Sequence, residues 1–243
     1  MEKRIIARGL LAGAVASVAA FVFARTFVEP AIGKAIEFEE AHAGGHDHGV
    51  ELFSRGVQAN IGMGFGVLAF GVAMGGLFAV AYCVVYGRVG NLSPRLLSVL
   101  LAGGMFLSLY VIPFLKYPAS PPAVSLDETI RQRTLLYLMM VVLSVVLLAG
   151  AVWLGRNLLE RFGPWSASLI AAAAYIVGIA VVMVALPSFD EMPEGFPAQL
   201  LYEFRLYSLG TQLVLWAVIA VVFGSTVQRL LDESPRQEVH IPA

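Results

Sequence analysis

The chain has 243 residues, of which 58% are hydrophobic and 14% charged, with a formal net charge of −1. A soluble domain carries roughly 25% charged residues, so this composition, with a mean hydropathy of +0.79, describes an integral membrane protein and supplies no basic surface for nucleic acid. The single cysteine, Cys83, excludes an internal disulfide and any CxxC metal motif, and no GxxxxGKS/T phosphate loop is present.

A bilayer-spanning helix needs about 20 mostly apolar residues. Six segments qualify, at about 9–28, 57–82, 95–115, 134–155, 165–186 and 206–227. The first follows a basic leader, Lys3, Arg4 and Arg8. It also carries Ala14, Ala16, Ala19 and Ala20, small residues of the kind found before a secretory cleavage site. The run extends to Val28, longer than a usual signal core, so a retained span with a cytoplasmic N-terminus is the expectation; cleavage would leave five spans.

The first span carries Gly9-xxx-Gly13 and Ala12-xxx-Ala16-xxx-Ala20. The second carries Gly62-xxx-Gly66 and Gly71-xxx-Gly75. Small residues at this spacing let helix backbones approach in lipid, so close bundle packing is the plain reading and a glycine-lined path the sharper one.

Between these spans lies the polar stretch Glu29 to Arg55, with three of the four histidines. His42-xxx-His46-x-His48 encloses Asp47. Spacing four puts two imidazoles on one face of a helix, spacing two does so only in extended chain, and Gly44 and Gly45 interrupt any helix. The expectation is a mobile arm. Imidazole and carboxylate together suit a transition metal without choosing one, whereas oxygen alone would favour magnesium or calcium. A solvated polar loop is the alternative. Upstream, a helical EPAIGKAIEFEE, with Pro30 in its first turn, would put Glu29, Glu37 and Glu40 on one face. Glu37 and Glu40 are then neighbours, and Ile32, Ile36 and Phe38 face lipid. Whether these carboxylates take metal or face water stays open at this stage.

The third span ends in YVIPFLKYPASPPAV. Pro113, Pro118, Pro121 and Pro122 lack the backbone donor of a regular helix. Lys116, among apolar residues, either snorkels to the headgroups or is a fixed charge at the mouth of a pathway. In DETIRQRT, Asp127 to Thr134, acids precede arginines, as suits the start of a helix. The fourth and fifth spans read as scaffold, joined by the short basic GRNLLERFGPW. Beyond Pro187, Asp190, Glu191 and Glu194 offer oxygen ligands. Glu203 and Arg205 precede the sixth span, whose early part carries Ser208, Thr211 and Gln212. A short polar tail, 229–243, holds the isolated His240 and receives no function.

With the N-terminus inside, nine Lys and Arg residues fall inside and seven outside, a modest bias of the right sign. Twelve of the seventeen acids then lie outside with the loop histidines, giving a cation-attracting external face. No histidine lies within a span, which counts against a haem carrier, and no HExxH occurs, which counts against a zinc protease.

Four stretches resemble one family: FVEPAIGKAIEFEEAH, the His-rich loop, FLKYPASPPAV followed by DETIRQRT, and FPAQLLYEFRLYSLGTQLVLWAVIAVVFG. Together they resemble the CbtA family, the larger membrane subunit of a predicted bacterial cobalt transporter, through most of the chain and in the family's order. The resemblance implies five or six spans, cobalt uptake serving cobalamin synthesis, and a very small one-span partner, CbtB, with histidines of its own.

The reading is therefore an all-α polytopic transmembrane bundle of about six spans in a bacterial inner membrane. It moves a divalent transition metal, cobalt first, as substrate, with no organic cofactor; homo-oligomerisation is compatible with it. Expected metal ligands are His42, His46, Asp47, His48, Glu37 and Glu40. Expected pathway residues are Glu29, Lys116, Asp190, Glu203, Arg205 and Gln212, and Gln58, Asn60 and Thr211 are further candidates for a polar lining. A metal-responsive membrane scaffold that transports nothing is the alternative, and an enzyme follows at a distance because no nucleophile–base arrangement is visible.

Overall fold

The computed structural model describes residues 2–42, 54–90, 92–122, 130–188, 193 and 195–237, the side chains of 42 and 233–237 excepted. All regular structure among them is helical. Five helices are long and apolar enough to cross a membrane: Glu2–Ala41, Arg55–Val85, Pro94–Lys116, Ile130–Ala185 and Ala198–Asp232. They are called the first to the fifth helix below. The last continues to Gln237, into the expected tail. The chain divides into two compact units, Met1–Gly103 with Tyr202–Ala243, and Gly104–Leu201.

The fourth helix holds two of the six predicted segments, and its geometry explains why. At Gly163 the backbone leaves the helical region, with φ 73° and ψ 168°. The chain then folds back on itself. Ser144 and Tyr175 share a hydrogen bond of 2.9 Å, and a side chain at Gly155 would meet Ala171 at 3.1 Å. The fourth and fifth predicted spans are thus the two arms of a hairpin. Glycine adopts this conformation without a Cβ penalty, and Pro164 suits the first turn of the returning arm. Gly163→Ala is expected to lower stability by about 2 kcal/mol, the cost of an L residue in this region. Gly150→Ala, in the same helix and with nothing within 4 Å of the added carbon, should leave the melting temperature in detergent unchanged. Equal melting of the two variants would contradict this origin of the turn.

Three helices contain a π-helical segment: Ala24–Val28, Gln58–Gly62 and Leu107–Val111. Two of these precede a proline closely, Pro30 and Pro113. A proline ring presses on the carbonyl four residues back, and widening the preceding turn relieves that pressure. The third helix therefore runs on to Lys116 instead of breaking at Pro113. The carbonyl of Leu109, which Pro113 cannot bond, accepts the Tyr137 hydroxyl at 3.3 Å. The same relief lets the first helix run past Val28 to His42, so EPAIGKAIEFEE is helical. Ala31 and Ala35 on it are buried.

In the first unit the first and second helices pack antiparallel, glycine to glycine. A Cβ on Gly75 would come within 2.7 Å of the Gly13 Cα, and one on Gly9 or Gly13 would collide with the carbonyl of Gly75 or Gly71. Ala12, Ala16 and Ala20 are buried along the same stripe. The seam gives the first helix a packing role against the second. The other predicted row takes no part: nothing lies within 4 Å of a Cβ on Gly66. Beside the seam, the Phe78 and Phe223 rings meet edge to face at 4.9 Å.

In the second unit Ile112, Met140, Ala151, Tyr175 and Ile179 form the core, where the end of the third helix packs on the hairpin. Large hydrophobics such as Phe65, Val184 and Val221 are exposed, the surface expected of a chain solvated by lipid.

Candidate functional site

The antiparallel register set by the glycine seam continues unbroken to the far end of the first two helices. There it pairs polar residues instead of glycines. Arg25, in one π-helical segment, donates from Nε to Asn60 Oδ1, in the other, at 3.0 Å. One turn further, Arg55 Nη2 donates to Glu29 Oε1 at 2.6 Å, with the glutamate side chain 11% exposed and the arginine 41%. Glu29 is the one acid among the buried described residues. A carboxylate removed from water needs a partner charge, and Arg55 supplies it.

The fifth helix packs along the first from one end to the other. Arg8 Nη1 donates to the Thr226 carbonyl at 2.6 Å, the Phe23 ring lies against Gly210, and the Phe27 and Tyr207 rings stand 5.5 Å apart. These contacts define an antiparallel register that brings Arg205 level with Glu29, and Glu203 level with Ala31. Gln212, half-buried, lies deeper by about two turns. About 30 Å of helix separates Arg8 from Glu29, which matches the hydrocarbon thickness of a bilayer. The polar cluster of Glu29, Arg55, Arg25 and Asn60 thus sits at one membrane boundary, with Arg205 and Glu203 at its level.

The other expected site residues are placed differently. Glu37 and Glu40 are exposed, so the helix they share with Glu29 does not give the three carboxylates one environment. Lys116, in the second unit, donates from Nζ to Ser188 Oγ at 2.8 Å. Beside it the Tyr117 hydroxyl donates to the Pro187 carbonyl at 2.8 Å, and burial pushes that phenol above its ordinary range. His46, Asp47, His48 and Asp190 lie outside the described residues, and only the backbone of His42 is described. Among the described residues no three of His, Cys, Asp and Glu approach closely enough to hold a metal.

Arg55 is the functional candidate that sequence reasoning missed, taking it only as the end of the polar stretch. A signal was present. Once Gly9-xxx-Gly13 is laid antiparallel on Gly71-xxx-Gly75, the same register places Arg55 opposite Glu29.

The family model described as "probable cobalt transporter subunit (CbtA)" matches residues 2–228. No curated protein and no solved structure matches the chain.

Proposed function

From the premise that this chain belongs to the CbtA family of cobalt transporter subunits, we propose that it is the membrane subunit that captures a divalent transition metal, cobalt first, outside the cell and passes it inward. The observation that carries this reading is the buried Glu29 held by Arg55 at a membrane boundary. A buried carboxylate positioned by a cation is a ready ligand for a better cation. Positive residues favour the cytoplasmic side for the N-terminus, which puts this cluster outside, next to the stretch that carries His42, His46, Asp47 and His48. In this reading the loop concentrates the ion, Glu29 receives it, and Arg55 with Arg205 competes for the vacated carboxylate and favours release. Glu203 and Gln212 are assigned to the same route, and Glu37 and Glu40 to the exposed approach; Lys116 and Asp190 are kept as pathway candidates on sequence alone. As a subunit, the chain works with a partner, for which a small one-span CbtB-like protein is the natural choice. The bacterial inner membrane is the proposed location.

One observation favours the scaffold reading instead. The buried serines Ser17, Ser98 and Ser108 donate to carbonyls of their own helices, so these hydroxyls offer little to a passing ion. Cobalt uptake into proteoliposomes, with and without the small partner, separates the two. Uptake under either condition supports transport; its absence under both supports the scaffold.

The loop is expected to bind Co²⁺ with an affinity that falls below about pH 6, because imidazole must be neutral to ligate. Calorimetry on the wild type and on a triple His42, His46, His48→Ala variant tests this. Equal affinity in both would remove the loop from the proposal.

A further inference from the structure

Tyr82 carries the one buried side-chain polar atom among the described residues that has no hydrogen-bond partner. The side chain is 0% exposed. Its ring is accounted for: it meets the Phe223 ring edge to face at 5.0 Å and stacks on Tyr86 at 5.4 Å. Phenylalanine would make both contacts. The hydroxyl adds to neither, and burying it costs free energy until something bonds it. The other buried hydroxyls are committed. Ser17, Ser98 and Ser108 bond carbonyls of their own helices, and Ser144 pairs with Tyr175.

The surroundings narrow what can bond it. Tyr82 continues the buried stripe of the second helix, after Gly71, Gly75 and Ala79, at the end of the first unit opposite Glu29. A side chain on Gly9 would collide with Ala79, so Ala79 and Arg8 lie at about one level. Helical side chains lean over the turn N-terminal to their own Cα, which brings the Tyr82 hydroxyl back to that level. The Arg8 guanidinium has five donors and donates to the Thr226 carbonyl at 2.6 Å. Thr226 lies one turn after Phe223, on the face that the Tyr82 ring packs against. Arg8 marks a membrane boundary, about 30 Å of helix from Glu29, so water is at hand. A metal cation here would face the like charge of the guanidinium. A water accepts from Arg8, bonds the Tyr82 hydroxyl and donates to a helix carbonyl with a spare lone pair. That makes about three hydrogen bonds, the usual number for a buried water.

We propose that a buried water bridges the Tyr82 hydroxyl and the Arg8 guanidinium, so that the first unit is hydrated at this end while the Arg55–Glu29 ion pair closes the other. On the transport reading this is the side from which the ion leaves; the water itself does not depend on that reading. Radiolytic footprinting of the full chain in nanodiscs tests it, because X-rays turn a bound water into a hydroxyl radical that adds oxygen to the nearest ring. Tyr82 should be oxidised at a rate approaching that of Tyr202, which is 65% exposed, and several-fold faster than Tyr175, which is 8% exposed and already paired. Arg8→Met should bring Tyr82 down to the Tyr175 rate. Tyr82→Phe should melt about 2–4 °C below the wild type, what one net hydrogen bond contributes in a chain of this size, whereas removing an idle hydroxyl would raise the melting temperature. Tyr82 labelled no faster than Tyr175, labelling unchanged in Arg8→Met, or a Tyr82→Phe variant melting at or above the wild type would overturn the proposal. None of these readouts requires cobalt uptake, so their failure is separate from a failure of transport.

Discussion

Gly75→Val is expected to remove the folded protein from the membrane. A Cβ at this position would lie 2.8 Å from the Gly13 nitrogen and 2.7 Å from its Cα, and would overlap the Gly9 carbonyl. All three neighbours are backbone, so no side chain can swing aside. The first two helices must separate, and with them the stripe of Ala12, Ala16 and Ala20 loses its contacts. Dispersion at close backbone approach is what holds helices together in lipid, where no hydrophobic force acts between them. The cost is about 4 kcal/mol, at the upper end for single substitutions. Gly66→Ala, in the other glycine row and with nothing within 4 Å, should change stability by less than about 0.5 kcal/mol. Membrane abundance and thermal unfolding in detergent read both. If Gly75→Val accumulates and melts like Gly66→Ala, the seam is not the contact that holds the pair.

Glu29→Gln is expected to lower cobalt uptake by about one to two orders of magnitude, the loss of one charge-assisted ligand. The shape is kept and only the charge goes. Arg55 is 41% exposed and can turn to water, so the folding cost should stay near 1 kcal/mol. The reciprocal variant gives the sharper reading. Arg55→Gln leaves the carboxylate without its competitor, so Co²⁺ should bind more tightly while turnover falls. A lock serving stability alone predicts equal and modest losses in both variants, with uptake tracking abundance. Arg205→Gln, level with Glu29 on the fifth helix, should resemble Arg55→Gln in uptake. Normal uptake in all three would place the route elsewhere.

Composition and local pattern determined a good deal by themselves. Six runs of apolar residues long enough for a bilayer are a property of the chain, and all six are helical here. Proline after a span, the acids and histidines between spans, and small residues at spacing four are equally local and equally visible. The family, matched over residues 2–228, was legible from four stretches of sequence. Tertiary structure alone decided which of two glycine rows forms the seam, because both rows have the same spacing and differ only in which face meets the first helix. It decided that Pro113 does not end its helix, since that depends on a π-helical segment and on the Tyr137 hydroxyl reaching the Leu109 carbonyl. It also decided the partner of Glu29. Nothing local in the sequence favours Arg55 over other cations such as Lys116 or Arg205. The choice follows from register: closest approach is possible only where both backbones present glycine, and rigid helices carry that alignment along their length to Glu29 and Arg55.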